Sequence, residues 1–177
     1  MAAIPIRVAV TGTRRMGVST PASIAAACIR LHKCRRVVQF VTGAAHGVDS
    51  EAFAWGLEEW PSAEHVVVYP SGLEHNEAVT QLATDMAADP LGSQRSVRVV
   101  ACTDGYVARD DMMLDVICAA PAQDRLLLAF PQTGIERLRS GTWTTVRHAR
   151  KRDIPVYVSP QNGAPAYWLG EPVEGWR

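Results

Sequence analysis

Apolar residues arrive along this chain in short β-branched runs, and each run is followed by a longer stretch whose apolar positions recur every three or four residues. RVAVTGT (7–13) reads as a buried first strand ending in a small-residue turn. STPASIAAACIRL then reads as a helix with Ser19 or Thr20 as N-cap and Pro21 in its first turn. VVQFVTGAAHG (37–47) repeats the form, and in VDSEAFAWGLEEW either Asp49 or Ser50 can cap a helix that buries Phe53 and Leu57. HVVVYP (65–70) predicts a third strand, Glu77 to Met86 a helix, DPLGS a turn and SVRVVAC (96–102) a fourth strand. ARDDMMLDVICAA (108–120) reads as helix, DRLLLAFP (124–131) as strand, GTWTTVRHARKR (141–152) as helix and IPVYVSP (154–160) as a last strand. The tail from Gln161, with Pro165, Trp168, Pro172 and Trp176, has little periodicity of either kind and is either a packed extension or frayed.

Near-continuous Val/Ile/Leu runs alternating with helices mark parallel strands covered on both faces, because a crossover helix must join each pair. The predicted class is α/β, a doubly wound, mainly parallel sheet, with one domain over 1–160 and a C-terminal extension over 161–177. The length of 177 residues and a hydrophobic content of 47% suit one domain with a real core. Eighteen basic residues balance eighteen acidic ones, so no overall field favours nucleic acid or a membrane surface. No apolar run reaches the ~18 residues that a membrane helix needs.

Four scattered cysteines, with no C-x-x-C pair and no signal-peptide pattern before them, predict reduced thiols in a cytoplasm. Cys28, His32 and Cys34 are close enough in sequence to suggest a metal site, but they lack a fourth ligand; no metal or cofactor is expected.

In a sheet of this class ligands bind beyond the carboxyl ends of the strands. The residues that follow the predicted strands are small, hydroxylated or charged: Thr11 to Arg14, Thr42 to Asp49, Tyr69 to Ser71, Arg109 to Asp111, and Pro131 to Thr142. Glycines let backbone approach a ligand, and helix N-termini supply free N–H groups and positive dipole, which together suit a phosphate. The same residues can also serve only to turn the chain.

The set TGTR, VTGAAHGVDSEA, VVYPSG, ARDDMML, LLLAFP and SGTWTTVRHARKRDIPVYV resembles the SLOG superfamily, which includes the DprA and LOG proteins, and within it the YspA-like branch related to YpsA. The match runs in order from about residue 6 to residue 158. The resemblance implies a Rossmann-like sheet whose glycine-rich loops bind a nucleotide or nucleotide-derived small molecule, to sense, sequester or process it. It implies that Gly12, Thr13 and Arg14 form a first phosphate or sugar loop, and that Gly43, His46, Gly47 and Asp49 form a second. Asp49 would bind a ribose hydroxyl or simply cap its helix; His46 would be a proton donor, a ligand contact or a solvated loop residue. Arg109 matches an arginine that precedes a methionine-containing helix.

In LOG-type phosphoribohydrolases a P-G-G-x-G-T-x-x-E motif joins the phosphate loop to a glutamate that supports N-glycosidic cleavage. Pro131, Gly141 and Thr142 match that motif, QTGIERLRS intervenes, and Thr145 stands at the glutamate position. A threonine hydroxyl cannot act as a carboxylate base near neutral pH, so binding without catalysis is the favoured expectation. Asp110, Asp111 or Glu136 could supply a substitute acid, which keeps a LOG-like enzyme as the alternative. A second alternative, DprA-like single-stranded DNA binding, would use Arg137, Arg139, Arg147, Arg150, Lys151 and Arg152 with Trp143 as a stacking platform, but basic residues at a helix C-terminus are explained equally by its dipole. Related SLOG proteins are commonly homo-oligomers, and five tryptophans, with Trp55 and Trp60 on one predicted helix, suggest surface for self-association.

Overall fold

A computed structural model describes residues 4–88 and 95–176. The apolar runs become strands β1 (Pro5–Gly12), β2 (Arg36–Thr42), β3 (Glu64–Pro70), β4 (Ser96–Cys102), β5 (Arg125–Phe130) and β6 (Val156–Val158). Between them lie helices α1 (Thr20–Cys34), α2 (Val48–Glu59), α3 (Glu77–Ala88), α4 (Gly105–Cys118) and α5 (Gly141–Arg150), and a seventh strand, β7 (Tyr167–Leu169), follows. The strands form one sheet in the order β4-β3-β2-β1-β5-β6-β7, parallel throughout except for the antiparallel β6–β7 pair. The predicted turn at DPLGS lies outside the described residues.

Both faces of the sheet are covered, which is why the strands read as unbroken apolar runs. Ile6, Val8 and Val10 of β1 face one layer with Leu126 and Leu128 of β5, where Ile24 and Leu31 of α1 and Ala52 of α2 pack. Ala9 and Leu127 point the other way, toward Met113, Leu114 and Ile117 of α4 and Trp143 and Val146 of α5. The period-two alternation of a strand sends successive residues to opposite layers. The fold is the doubly wound Rossmann-like α/β sheet expected from the sequence. The chain runs outward from β1 to β4, then returns to place β5 on β1's other side, so β1 and β5 flank the point where strand order reverses.

Several boundaries differ from the predicted ones. α4 starts at Gly105 and not at 108, which puts Arg109 in the second turn of the helix and not at its start. α2 is entered through Gly47 at φ 84°, so neither Asp49 nor Ser50 is its N-cap. Ser19 does precede α1, but its side chain makes no capping bond.

The tail is packed. β7 pairs with β6, setting Trp168 opposite Tyr157, and Val173 and Trp176 then enter the core against α1. Tyr157, Trp168 and Trp176 form a mutual aromatic cluster with ring centroids 4.9–5.4 Å apart. Trp60, Trp143 and Trp176 are each at most 4% exposed, and Trp55 and Trp168 are half-buried. The tryptophans therefore do not supply the exposed surface expected of them; they fill the core, where large rings contribute the most burial per residue. Trp176→Ala should lower unfolding free energy by about 3–5 kcal/mol, the range for removing a buried aromatic ring, and urea denaturation of the purified variant measures it.

Candidate functional site

The carboxyl ends of β1 and β5 hold their loops together. Gly12 pairs with Phe130, the Thr13 N–H donates to the Phe130 carbonyl at 3.0 Å, and the Thr13 hydroxyl donates to Gln132 Oε1 at 3.1 Å. From the other side the Val48 N–H donates to the Thr13 carbonyl at 3.2 Å, which ties the start of α2 to the same loop. Beyond these strand ends lies a cavity of about 330 Å³. This volume is near the lower end of the ~300–1,000 Å³ common for small-molecule sites.

Seven of the residues singled out in the sequence line this cavity. Gly12, Thr13 and Arg14 come from the β1 loop, and Gly141 and Thr142 from the first turn of α5; Asp49 and Arg109 complete the set. The other four do not line it. Gly43 sits behind Arg109, Gly47 lies against the Thr13–Arg14 backbone, Pro131 is buried and His46 points to solvent.

The glycines divide by what surrounds them. A Cβ on Gly12 would lie 2.5 Å from the Val48 side chain, one on Gly47 would lie 2.6 Å from the Thr13 carbonyl, and one on Gly43 would overlap the Arg109 guanidinium. Packing within the protein thus accounts for glycine at these three positions. Gly141 is different: nothing lies within 4 Å of where its Cβ would stand. Its open face borders the cavity at the N-terminus of a helix whose cap, Ser140, accepts a bond from the Trp143 N–H at 3.4 Å. The first N–H groups of such a helix have no partner within it.

Arg109 forms the floor. It is 7% exposed, its Nη1 donates to the Gly43 carbonyl and lies 3.5 Å from Asp49 Oδ2, and its Nη2 lies 2.7 Å from Asp110 Oδ1. The other oxygen of Asp110 accepts from the Thr145 hydroxyl at 2.8 Å. Asp49 also accepts from the Ala45 N–H at 3.4 Å. Burial pushes the Asp49 carboxyl up to about 6; Arg109 opposes the rise and Asp110 adds to it. Asp110 is raised too, again by burial, against the pull of Arg109 and the Thr145 hydrogen bond.

The three candidate substitute acids separate cleanly. Asp110 lines the cavity. Asp111 instead meets His148 at 2.8 Å and Arg152 at 2.9 Å, and Glu136 meets Arg147 at 3.2 Å. These pairs also bring Arg147 and Arg152 of the basic run against acids, and Trp143 is buried in the core, which removes it as a stacking platform. Cys28 is likewise internal, its thiol pushed up to about 12 by burial and by Glu59, and His32 turns outward to Glu59 at 3.9 Å.

Sequence reading missed Tyr106 among the cavity residues, and it covered Gln132 and Ser140 only as part of the segment 131–142. Arg14 lies over the Tyr106 ring, 4.9 Å from its centroid, and the Tyr106 hydroxyl donates to the Glu74 carbonyl at 2.9 Å. A cation over an aromatic face is held electrostatically, so Tyr106 positions Arg14 at the rim. The signal was available: Tyr106 follows β4 as Thr13 follows β1, but a helix begun at 108 hid its position at a strand end.

No family model matches the chain, and no curated protein sequence matches it significantly. Among solved structures, DNA processing protein A (DprA) from Streptococcus pneumoniae is similar, with a TM-score of 0.61 and 17% identity over 97% of this chain and 53% of that one. At this identity the likeness is one of fold, and the chain spans about half the length of that protein. Among the described residues no helix is long and apolar enough to cross a membrane.

The raised Asp49 carboxyl has a consequence for stability. It ionises near pH 6 when folded and, by its ordinary value, near pH 4 when unfolded. The folded chain therefore binds more protons between these values, and this group's contribution to stability falls as pH rises from about 4 to about 6, then levels. Asp49→Asn should remove that part of the pH dependence, so that the wild type gains on the order of 2–3 kcal/mol relative to the variant between pH 7.5 and pH 4. Urea unfolding of both proteins across this range gives the difference.

Proposed function

We propose that the cavity binds the phosphate end of a nucleotide or nucleotide-derived small molecule, and that the chain is a SLOG-type binding domain of the YspA-like kind. The observation that carries this reading is the meeting of two backbone segments at the switch between β1 and β5: the Thr13–Arg14 loop and the open first turn of α5 at Gly141 and Thr142. Free N–H groups at a helix N-terminus, a hydroxyl and a guanidinium at the rim form an anion site in a fold that places ligands there. The shared fold of DNA processing protein A agrees with a nucleotide-related role. The pairing of Arg147 and Arg152 with acids speaks against a single-stranded DNA surface on α5.

One observation favours a second reading, LOG-like N-glycosidic hydrolysis. Thr145 takes the glutamate's place in sequence, yet its hydroxyl holds the carboxylate of Asp110, which faces the cavity. Incubation with nucleoside monophosphates separates the two. On the binding reading no free base appears; release that Asp110→Asn abolishes would put the enzyme in its place.

Gly141→Val tests the anion site itself. A Cβ at this position meets nothing from the rest of the fold within 4 Å, so the variant should fold, while its methyl groups obstruct the helix N-terminus. Affinity for adenosine monophosphate or pyrophosphate, measured by calorimetry, should fall at least about tenfold, or ~1.4 kcal/mol. Unchanged affinity in the folded variant would place the anion elsewhere.

A homo-oligomer is proposed on different residues from the tryptophans. Val18, Ile135 and Leu138 are exposed large hydrophobics on the two loops that follow β1 and β5. Apolar side chains so placed are candidates for contact with a second copy. Light scattering at micromolar concentration should give at least a dimer, and a monomer throughout would refute it.

A further inference from the structure

The floor of the cavity sets one guanidinium between two carboxylates. Arg109, Asp49 and Asp110 have side chains at most 9% exposed, and all three line the same cavity as Gly141 and Thr142. With both acids ionised the trio carries one surplus negative charge. An anion at the start of α5 would share about 330 Å³ with that charge, whose carboxylates are buried in the cavity floor, where repulsion is less screened than between exposed groups.

The two acids are not equally held. Asp110 has the close contact with Arg109 and a hydroxyl from Thr145 on its second oxygen. Asp49 has the longer contact with Arg109, 3.5 Å against 2.7 Å, and accepts from the backbone of Ala45 at 3.4 Å and of Gly43. Asp49 is therefore the acid that gives way when negative charge is added.

Resting on the anion-binding reading above, we propose that the cavity takes up one proton, on Asp49, with each anion it binds, so that binding strengthens as the solution is acidified. The proton comes from solvent and ends on a carboxylate oxygen of Asp49; no other bond changes. Protonation removes the surplus charge and leaves Arg109 paired with Asp110 alone. The carboxyl is suited to the task, because burial has already brought its ionisation to about 6, and a nearby anion raises it further.

Other groups around Asp49 do not provide the same response. From α4 it faces Arg109 and Asp110, with Asp111 beyond them and paired to Arg152. The β1 loop brings Arg14, whose guanidinium lies 3.9 Å from Glu74. The first turn of α5 brings no acid, and Gln132 of the β5 loop is neutral. His46 in Asp49's own loop points to solvent.

Sulfate is the probe, because its charge is constant over the range of interest while phosphate titrates there. Calorimetric titration of the whole chain, from pH 5.5 to 8 and in two buffers of different ionisation enthalpy, reads both affinity and protons taken up. The expected result is an affinity that falls by up to about tenfold per pH unit above pH 6, with close to one proton absorbed where the slope is steepest. Asp49→Asn should bind sulfate with no such slope and no proton uptake. Sulfate binding with flat affinity and no buffer dependence would overturn the inference while leaving the anion site standing, as would a slope that survives in Asp49→Asn. Should the variant not fold, the two-buffer comparison on the wild type decides alone. Sulfate bound at no pH would overturn the anion site, and this inference with it.

Discussion

A guanidinium more than nine-tenths buried needs charge and hydrogen-bond partners, and the partners that Arg109 finds for its two Nη atoms organise the cavity. The groups that answer it come from separate parts of the chain: the Gly43 carbonyl beyond β2, Asp49 in α2 and Asp110 in α4. Each is fixed in turn by something else. Asp110 is held by Thr145 of α5, and α2 is held by the Thr13 carbonyl. Glycine at 43 follows from the same demand, since any side chain there would displace the guanidinium. The ion cluster thus joins four elements that the sheet alone would only bring near one another.

That cluster also changes how a glycine-rich rim should be understood. Four glycines, Gly12, Gly43, Gly47 and Gly141, are candidate ligand contacts in the sequence, where they all look alike. Three of them face other parts of the protein, Val48, Arg109 and the Thr13–Arg14 backbone, and one faces open space. Tight packing at Gly12 and Gly47 is what brings α2 and the β1 loop into register. Of these four, Gly141 alone has a free Cβ direction, so the chemistry of approach rests on it and the geometry of the rim on the others.

The fold was legible in the sequence because its signal is local and repeated. Buried parallel strands require continuous apolar runs, as in β5, read from DRLLLAFP (124–131) and found at Arg125–Phe130. The tail was illegible for the opposite reason: β7 is three residues long, and Trp176 acquires its meaning only from α1, far away in sequence. At the site, Thr13, Arg14, Gly141 and Thr142 could be found because strand ends are where ligands bind in this class. The partners of Arg109 could not, since they depend on β2, α2 and α4 converging, and a helix start misplaced by three residues concealed both the burial of Arg109 and the position of Tyr106. Charge pattern was informative only in part: Arg147 and Arg152 looked like a free basic face until the acids opposite them were located.

Trp176 shares one apolar cluster with Ile6, so the layer beneath α1 is built from both ends of the described chain. Closing so long a loop is entropically slow, and contacts of that kind dominate the folding time of proteins rich in them. Strands β1 to β4, laid down side by side in chain order, can pair early through near neighbours. The α1 layer, by contrast, stays unfinished until the last aromatic ring docks. During that interval Cys28, whose thiol is sealed in the finished structure, lies beneath an incomplete cover. Its chemical accessibility therefore reports whether that cover is in place.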